Sequence, residues 1–292
     1  MKIIDGKKIR DEILAKVKEE VATLSFNPIF CDVLVGEDPV SAQYVRMKAR
    51  MSESVGIKFQ SASFPSGITT EDLVKEIKIL NKVENMCGII VQLPLPASLD
   101  QRRILDAIDS KLDVDCLGNI ASEKFYNACL PGLPAGRQGR QGDFTITFPT
   151  ALACMHLLDS LNLDLKDKKI IIIGKGELVG RPVRKLLNAR NLETFVIDRK
   201  TEEAERIKRL KEADVIISAT GKGKLIKGNM VKEGAILIDA GTSESGAGIV
   251  GDIDLDSVSE VAGYVSPVPG GVGPVTVAML LSNVLIVAKN IK

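Results

Sequence analysis

The run from Ile170 to Pro182, Ile-Ile-Ile-Ile-Gly-Lys-Gly-Glu-Leu-Val-Gly-Arg-Pro, limits the folds open to this chain more than any other stretch. A continuous apolar run beginning at Lys169 reads as a strand covered on both faces. It leads into Gly174, Gly176 and Gly180, and then into a helix. Glycines at a strand-to-helix turn let the backbone approach a pyrophosphate at the helix N-terminus. The spacing is Gly-x-Gly-x-x-x-Gly rather than the common fingerprint, so its surroundings have to support it. A strand at 194–198 follows and ends in Asp198-Arg199-Lys200, where a ribose-reading residue belongs. Strands at 214–219 and 235–239 come next, closing on Ser218 to Gly221 and on Asp239 to Thr242. With a helix at 149–161 in front, this half predicts a Rossmann-type nucleotide-binding domain.

The first half alternates in the same way. Ile9, Ile13, Val17, Val21 and Leu24 predict an amphipathic helix over 6–25. Strand 29–35 follows, then a helix capped by Asp38 with Pro39 in its first turn, running to about Val55. Strand 57–64, helix 70–82 behind Thr69, an apolar strand from Cys87 and a helix at 101–109 complete the pattern. Such alternation predicts an α/β fold of two αβα domains with parallel sheets.

Several residue sets could carry chemistry. Ser41, Tyr44 and Lys48 share one face of the Asp38 helix. An ordinary amphipathic helix with a solvated lysine has the same spacing. Gln92 stands at the carboxyl end of a strand, before Leu93-Pro94-Leu95-Pro96, where it is a substrate contact or a loop hydrogen bonder. Asp113 and Asp115 flank Val114 and would point the same way in an extended strand; a loop-capping pair is the plainer account. Pro269-Gly270-Gly271 and Gly273-Pro274 build a tight turn before an apolar helix that runs to about Lys289. Residues 131–142 repeat Gly-Arg-Gln at Gly136 and Gly139 and predict a flexible surface loop near the domain boundary.

Composition narrows the function classes. The 292 residues carry 39 basic and 38 acidic side chains, a formal net charge of +1, which favours neither nucleic acid nor an anionic membrane as partner. The sequence shows no unbroken run of about 18 apolar residues and no signal-peptide pattern, so a cytoplasmic protein is expected. The five cysteines lack metal-type spacing and read as free thiols, three of them in apolar segments. One histidine, His156, leaves no His-rich metal site and little basis for a Ser-His-Asp triad. No metal is expected.

Taken together these segments resemble the bifunctional methylenetetrahydrofolate dehydrogenase/cyclohydrolase family over nearly the whole chain. The resemblance rests on Val35 to Pro39 with Ser41, Tyr44 and Lys48, on Val91 to Pro96, on Asp113-Val114-Asp115, on Gly174 to Pro182, and on Pro267 to Thr276. It implies a folate-binding catalytic domain over 1–147, completed by a C-terminal helix at 275–292, and a Rossmann NAD(P)-binding domain over 148–274. The active site would lie in the cleft between domains, and a homodimer would be the assembly.

By that resemblance Tyr44 stacks on the folate, Lys48 is the catalytic lysine, Gln92 tunes it, and Asp115 grips the pterin. Ser41, Pro269, Gly270 and Gly271 join the substrate-binding set. Gly174, Lys175, Gly176, Arg199 and Thr242 match cofactor contacts. NADP is the implied cofactor, with NAD also possible, because Asp198 suits a ribose hydroxyl whereas Arg199, Lys200 and Lys175 suit a 2′-phosphate. The resemblance also implies the reaction: hydride leaves a methylene carbon, and water then attacks the methenyl cation with help from a lysine amine of lowered pKa. Three positions depart from the family pattern: Phe148-Pro149-Thr150-Ala151 replaces Pro-Cys-Thr-Pro, Cys116 replaces a glycine, and Lys175-Gly176 replaces an Arg-Ser pair. Another pterin-linked NAD(P) dehydrogenase, or a non-catalytic binding protein retaining the fold, would share part of these features.

Overall fold

A computed structural model describes residues 1–128, 146–245 and 248–291. In chain order the elements are β1 (Lys2–Ile3), α1 (Gly6–Val21), β2 (Ile29–Val35), α2 (Pro39–Ser54), β3 (Lys58–Phe64), α3 (Thr70–Leu80) and β4 (Met86–Val91). Next come α4 (Gln101–Leu105), α5 (Asn119–Asn127), α6 (Pro149–Asp159), β5 (Ile170–Ile173), α7 (Gly180–Ala189), β6 (Thr194–Ile197) and α8 (Glu203–Glu212). The chain continues through β7 (Val215–Ser218), β8 (Ile236–Asp239), β9 (Ser243–Ser245), β10 (Gly248–Val250), α9 (Leu255–Val258), β11 (Tyr264–Ser266) and α10 (Val272–Asn290). These elements form two compact units. One takes Met1–Arg10 and Thr150–Thr276; the other takes Asp11–Ala128, the segment ending at Pro149, and the chain from Val277 onward.

The second of these units holds a three-stranded parallel sheet in the order β3-β2-β4. Every residue of β4 is buried, as a strand covered on both faces requires. Helix α2 starts where its cap dictates: Asp38 Oδ2 accepts the Ser41 amide at 2.7 Å, and Pro39 stands in the first turn. Thr69 Oγ1 likewise accepts the Asp72 amide at 3.2 Å to start α3, whose Leu73, Ile77 and Leu80 form the buried face. Helix α4 stops at Leu105, short of the expected 109, and α5, with Ala121 and Phe125 buried one turn apart, was not anticipated.

Helix α10 is the apolar helix that the sequence led one to expect up to about Lys289. Its best 18-residue window reaches a mean hydropathy of 1.8, enough by length and composition to cross a membrane. As 72% of that window is buried inside the protein, it is a core helix here. Its one deeply buried amide, Asn283, donates through Nδ2 to the carbonyls of Val114 (2.8 Å) and Thr147 (2.7 Å). Both carbonyls belong to non-helical chain.

The other unit holds a six-stranded, all-parallel sheet in the order β1-β11-β8-β7-β5-β6. Strand β5 lies between β6 and β7, so the winding direction reverses there, and the crevice beyond their carboxyl ends is where such sheets bind ligands. Its core packs Ile171, Ile173, Ile216, Leu237 and Val265 from the central strands. Strand β1 pairs with β11 (Lys2 with Tyr264) and brings residues 1–10 into this unit, whereas the sequence reading grouped them with the first half. Two residues carry no readable period. The Gly-Arg-Gln segment at 131–142 lies outside the described residues.

Replacing Asn283 by Leu keeps the branched skeleton but removes the donor that reaches both carbonyls. Each unsatisfied group costs about 1–3 kcal/mol, so urea denaturation of Asn283→Leu should show a loss of about 2–4 kcal/mol. A loss below about 0.5 kcal/mol would mean that other donors reach both carbonyls.

Candidate active site

The most constrained side chain in the three-stranded unit is Lys48, three turns into α2. Only 6% of its surface is exposed, so its amine must find partners inside the protein. It donates to Gln92 Oε1 at 2.8 Å and lies 2.6 Å from Asp32 Oδ2. Gln92 is held in turn: its Nε2 donates to the Leu93 carbonyl at 2.9 Å, and its backbone amide donates to Val33 at 2.8 Å. The Leu93-Pro94 peptide after it is cis. Ser41 is buried and Tyr44 half-buried on the same helix face, and burial pushes the Tyr44 phenol upward.

Asp32 was missed in the sequence, where it reads as one polar letter in the apolar run Ile29–Val35. It is fully buried, and its second oxygen, Oδ1, has no hydrogen-bond partner among the described residues. Burial pushes its carboxyl upward, while contact with Lys48 pulls it back. The readable signal was a carboxylate inside a strand otherwise built for a core.

Asp113 and Asp115 do not share an extended strand as expected. Residues 113–118 turn back on themselves, with Asp113 bridged to Ile89 and Cys116 N donating to Asp113 O at 3.2 Å. Asp113 is consumed by that turn: its carboxylate accepts the Gly118 amide at 2.7 Å and the Leu117 amide at 3.4 Å. Asp115 is left free of that duty. Although part of its surface stays exposed, it lies deep in the fold, and burial drives its carboxyl up to about 7. Repulsion from Asp113 and Asp32 adds to this, and Lys48 opposes it.

Two departures from the family pattern are absorbed locally. Cys116 adopts the left-handed backbone (φ 62°) that its glycine counterpart would take without strain. Phe148 is buried edge-on against Phe125, ring centroids 5.1 Å apart, and near Tyr126 at 6.0 Å.

In the six-stranded unit, the ends of β5 and β7 meet closely. A Cβ on Gly174 (φ +96°) would come within 2.5 Å of the Ala219 carbonyl, and one on Gly180 within 2.0 Å of the Gly174 carbonyl. These two positions admit only glycine, whereas Gly176 faces open space. The N-terminus of α7 has no side-chain cap; Pro182 has no N–H, and the Arg181 and Val183 amides donate to the carbonyls of Gly176 (3.1 Å) and Val179 (2.9 Å). Lys175 Nζ pairs with Asp198 Oδ2 at 2.5 Å, and that hydrogen bond holds the Asp198 carboxyl below its usual range. Arg199, Lys200 and Thr242 are exposed. This arrangement fits a dinucleotide.

Below these loops lies a carboxylate pair whose Asp252 was also missed. Asp252 is fully buried and accepts Ser218 Oγ (2.7 Å), Thr220 N (2.7 Å) and Lys222 N (2.8 Å). Asp239 accepts the amides of Gly241, Asp252 and Ile253, while burial pushes its own carboxyl up to about 7. The pair fixes the loops after β7 and β8, and with them Thr242. Pro269, Gly270 and Gly271 belong to this unit too, where Gly271 N donates to Pro267 O at 2.7 Å. Among the described residues no group of three His, Cys, Asp or Glu could hold a metal.

The Asp115 titration has a thermodynamic consequence. A carboxyl raised from 3.8 to about 7 binds its proton more tightly in the folded chain than in the unfolded one. Its ionisation therefore costs stability from about pH 4 upward, and the cost is complete above about pH 7. Asp115→Asn lacks that cost. Between pH 5 and pH 8 it should gain about 2.5–3 kcal/mol relative to the unsubstituted chain, at roughly 1.4 kcal/mol per pH unit up to the folded pKa. A difference that does not change with pH would contradict the raised carboxyl.

Comparison with known proteins agrees with both units. Residues 4–115 match the family model of the tetrahydrofolate dehydrogenase/cyclohydrolase catalytic domain, and residues 149–292 match that of its NAD(P)-binding domain. The chain is 39% identical over 297 residues to the bifunctional protein FolD of Moorella thermoacetica, covering 98% of each sequence. It is similar to the crystal structure of the bifunctional FolD methylenetetrahydrofolate dehydrogenase/cyclohydrolase from Campylobacter jejuni, with a TM-score of 0.89, 36% identity and 99% of both chains covered. The Trypanosoma brucei FolD, solved with NADP and an inhibitor, gives a TM-score of 0.88 at 32% identity, over 99% of this chain and 97% of that one. The chain belongs to the tetrahydrofolate dehydrogenase/cyclohydrolase family.

Proposed function

We propose that this enzyme oxidises 5,10-methylenetetrahydrofolate to 5,10-methenyltetrahydrofolate with NADP and then hydrolyses the product to 10-formyltetrahydrofolate. The observation that carries the reading is the buried Lys48 amine, held by Gln92 at 2.8 Å and by Asp32 at 2.6 Å on the helix that also presents Tyr44. Bound NADP supplies the hydride acceptor. Loss of hydride from the methylene carbon leaves a methenyl cation; hydrolysis adds one water to it and releases one proton. The protein has to place the folate, admit that water and receive that proton.

We assign those duties as follows. The Tyr44 ring stacks on the folate, and Ser41 lies on the same face. Asp115 accepts hydrogen bonds from the pterin; with its carboxyl near 7 it can also hold a proton at neutral pH. Lys48 relays the proton released in hydrolysis, and Gln92 fixes the direction of its amine. Pro269, Gly270 and Gly271 belong to the proposed substrate-binding set. The Gly174-Lys175-Gly176 loop at the end of β5 receives the pyrophosphate.

Cofactor choice follows from one ion pair. Asp198 would favour the ribose hydroxyls of NAD, but Lys175 occupies its carboxylate at 2.5 Å. Exposed Arg199 and Lys200 are then left to meet a 2′-phosphate, which supports NADP. We place the enzyme in the cytoplasm as a homodimer, with tetrahydrofolate one-carbon derivatives as substrates and neither nucleic acid nor membrane as partner.

Lys48→Met keeps the length of the side chain and removes the amine. Hydrolysis of methenyltetrahydrofolate should fall at least about a hundredfold, the scale of general acid–base assistance, while folate binding is largely retained. Unchanged hydrolysis in a folded Lys48→Met protein would sink the assignment.

A further inference from the structure

We infer that Asp32 is a positioning residue for Lys48, a carboxylate that shares the amine with Asp115 and sets the pH range over which the site hydrolyses its substrate. The inference rests on Lys48 being the catalytic amine proposed above. Asp32 lies on the central strand β2 between Cys31 and Val33, all three fully buried. A strand at that place in a sheet needs no charge. Replacing a buried ion pair by apolar side chains is often neutral or stabilising, so the fold alone gives no reason for a carboxylate here. Asp32 has one polar contact, Lys48 Nζ at 2.6 Å, and Oδ1 is unpartnered among the described residues. Whatever the carboxylate does, it does through Lys48 and the field around it.

The polar groups around Lys48 come from four elements. Asp32 approaches from β2, Gln92 from the end of β4, and Asp115 from the 113–118 turn; Tyr44 shares its own helix. Asp113 also acts on Asp115 but is tied to the turn by the Leu117 and Gly118 amides. Two ionisable carboxylates therefore compete for one amine. Asp32, closed off from water, holds the inner side of the amine; Asp115, partly exposed, is the one able to exchange a proton with the solvent side. The charge of Asp32 disfavours a second negative charge on Asp115. Removing it should let Asp115 give up its proton at lower pH.

The test compares the unsubstituted enzyme with Asp32→Asn, which keeps the shape, and Asp32→Leu, which keeps the volume without polarity. Thermal melts establish that each variant is folded. The pH–rate profile for methenyltetrahydrofolate hydrolysis should move toward acid by about one pH unit in both variants, the low end of the effect of a neighbouring charge. A purely structural aspartate would lower the rate without moving the profile. Carboxyl carbon NMR of Asp115 gives a readout that does not depend on turnover, and its titration should move in the same direction. If the unsubstituted chain does not hydrolyse the methenyl compound, the functional reading fails, and the Asp115 titration still judges Asp32. An unmoved titration in a folded variant, or an unmoved rate profile in an active one, overturns the inference.

Discussion

The three-stranded unit is arranged around one cation that has been taken out of water. Lys48 extends from α2 into a place where Asp32, Gln92 and Asp115 converge from three separate chain segments, two of them in direct contact with its amine. A buried amine needs such partners, because an unpaired one would cost several kcal/mol. That demand accounts for the local design. The Asp38 cap and Pro39 set where α2 begins and hence where Lys48 lies, the end of β4 delivers Gln92, and Asp113 shapes the turn that offers Asp115. Asn283 ties that same turn to α10.

The six-stranded unit solves a different problem with similar means. Its ligand end is made of loops, and loops hold a phosphate only if their amides stay aimed. Asp239 and Asp252 supply the aim from beneath, accepting six donors between them from the β7 and β8 ends and the chain around Asp252. Close approach of the strand ends leaves room only for glycine at 174 and 180. The Lys175–Asp198 pair joins the glycine loop to the end of β6.

Much of this was legible before any coordinates. Apolar runs bounded by glycine, proline and capping residues placed β2 through β8, though not β11, and helical spacing put Tyr44 and Lys48 on one face. What escaped notice did so for physical reasons. β1 is two residues long and gains its meaning only from β11, more than 250 residues away. Asp32 was hidden because periodicity averages over a strand, and a single buried charge does not change the average. Asp252 stands 34 residues from Ser218, a partnership that no local pattern encodes. For the Asp113–Asp115 pair the spacing fitted either an extended strand or a loop-capping pair; Cys116 turns left-handed, and Asp113 caps the turn.

The central claim is that one chain carries both a nicotinamide-linked oxidation and the hydrolysis of its product, with the buried Lys48 serving the second. The most direct measurement follows the absorbance of NADPH and of methenyltetrahydrofolate together, after mixing the purified enzyme with methylenetetrahydrofolate and NADP. The account predicts that NADPH accumulates while the methenyl absorbance stays low, and that added methenyltetrahydrofolate disappears faster with enzyme than in buffer alone. NADPH formation with stoichiometric build-up of a methenyl product that the enzyme does not hydrolyse would contradict it, as would the absence of any NADPH.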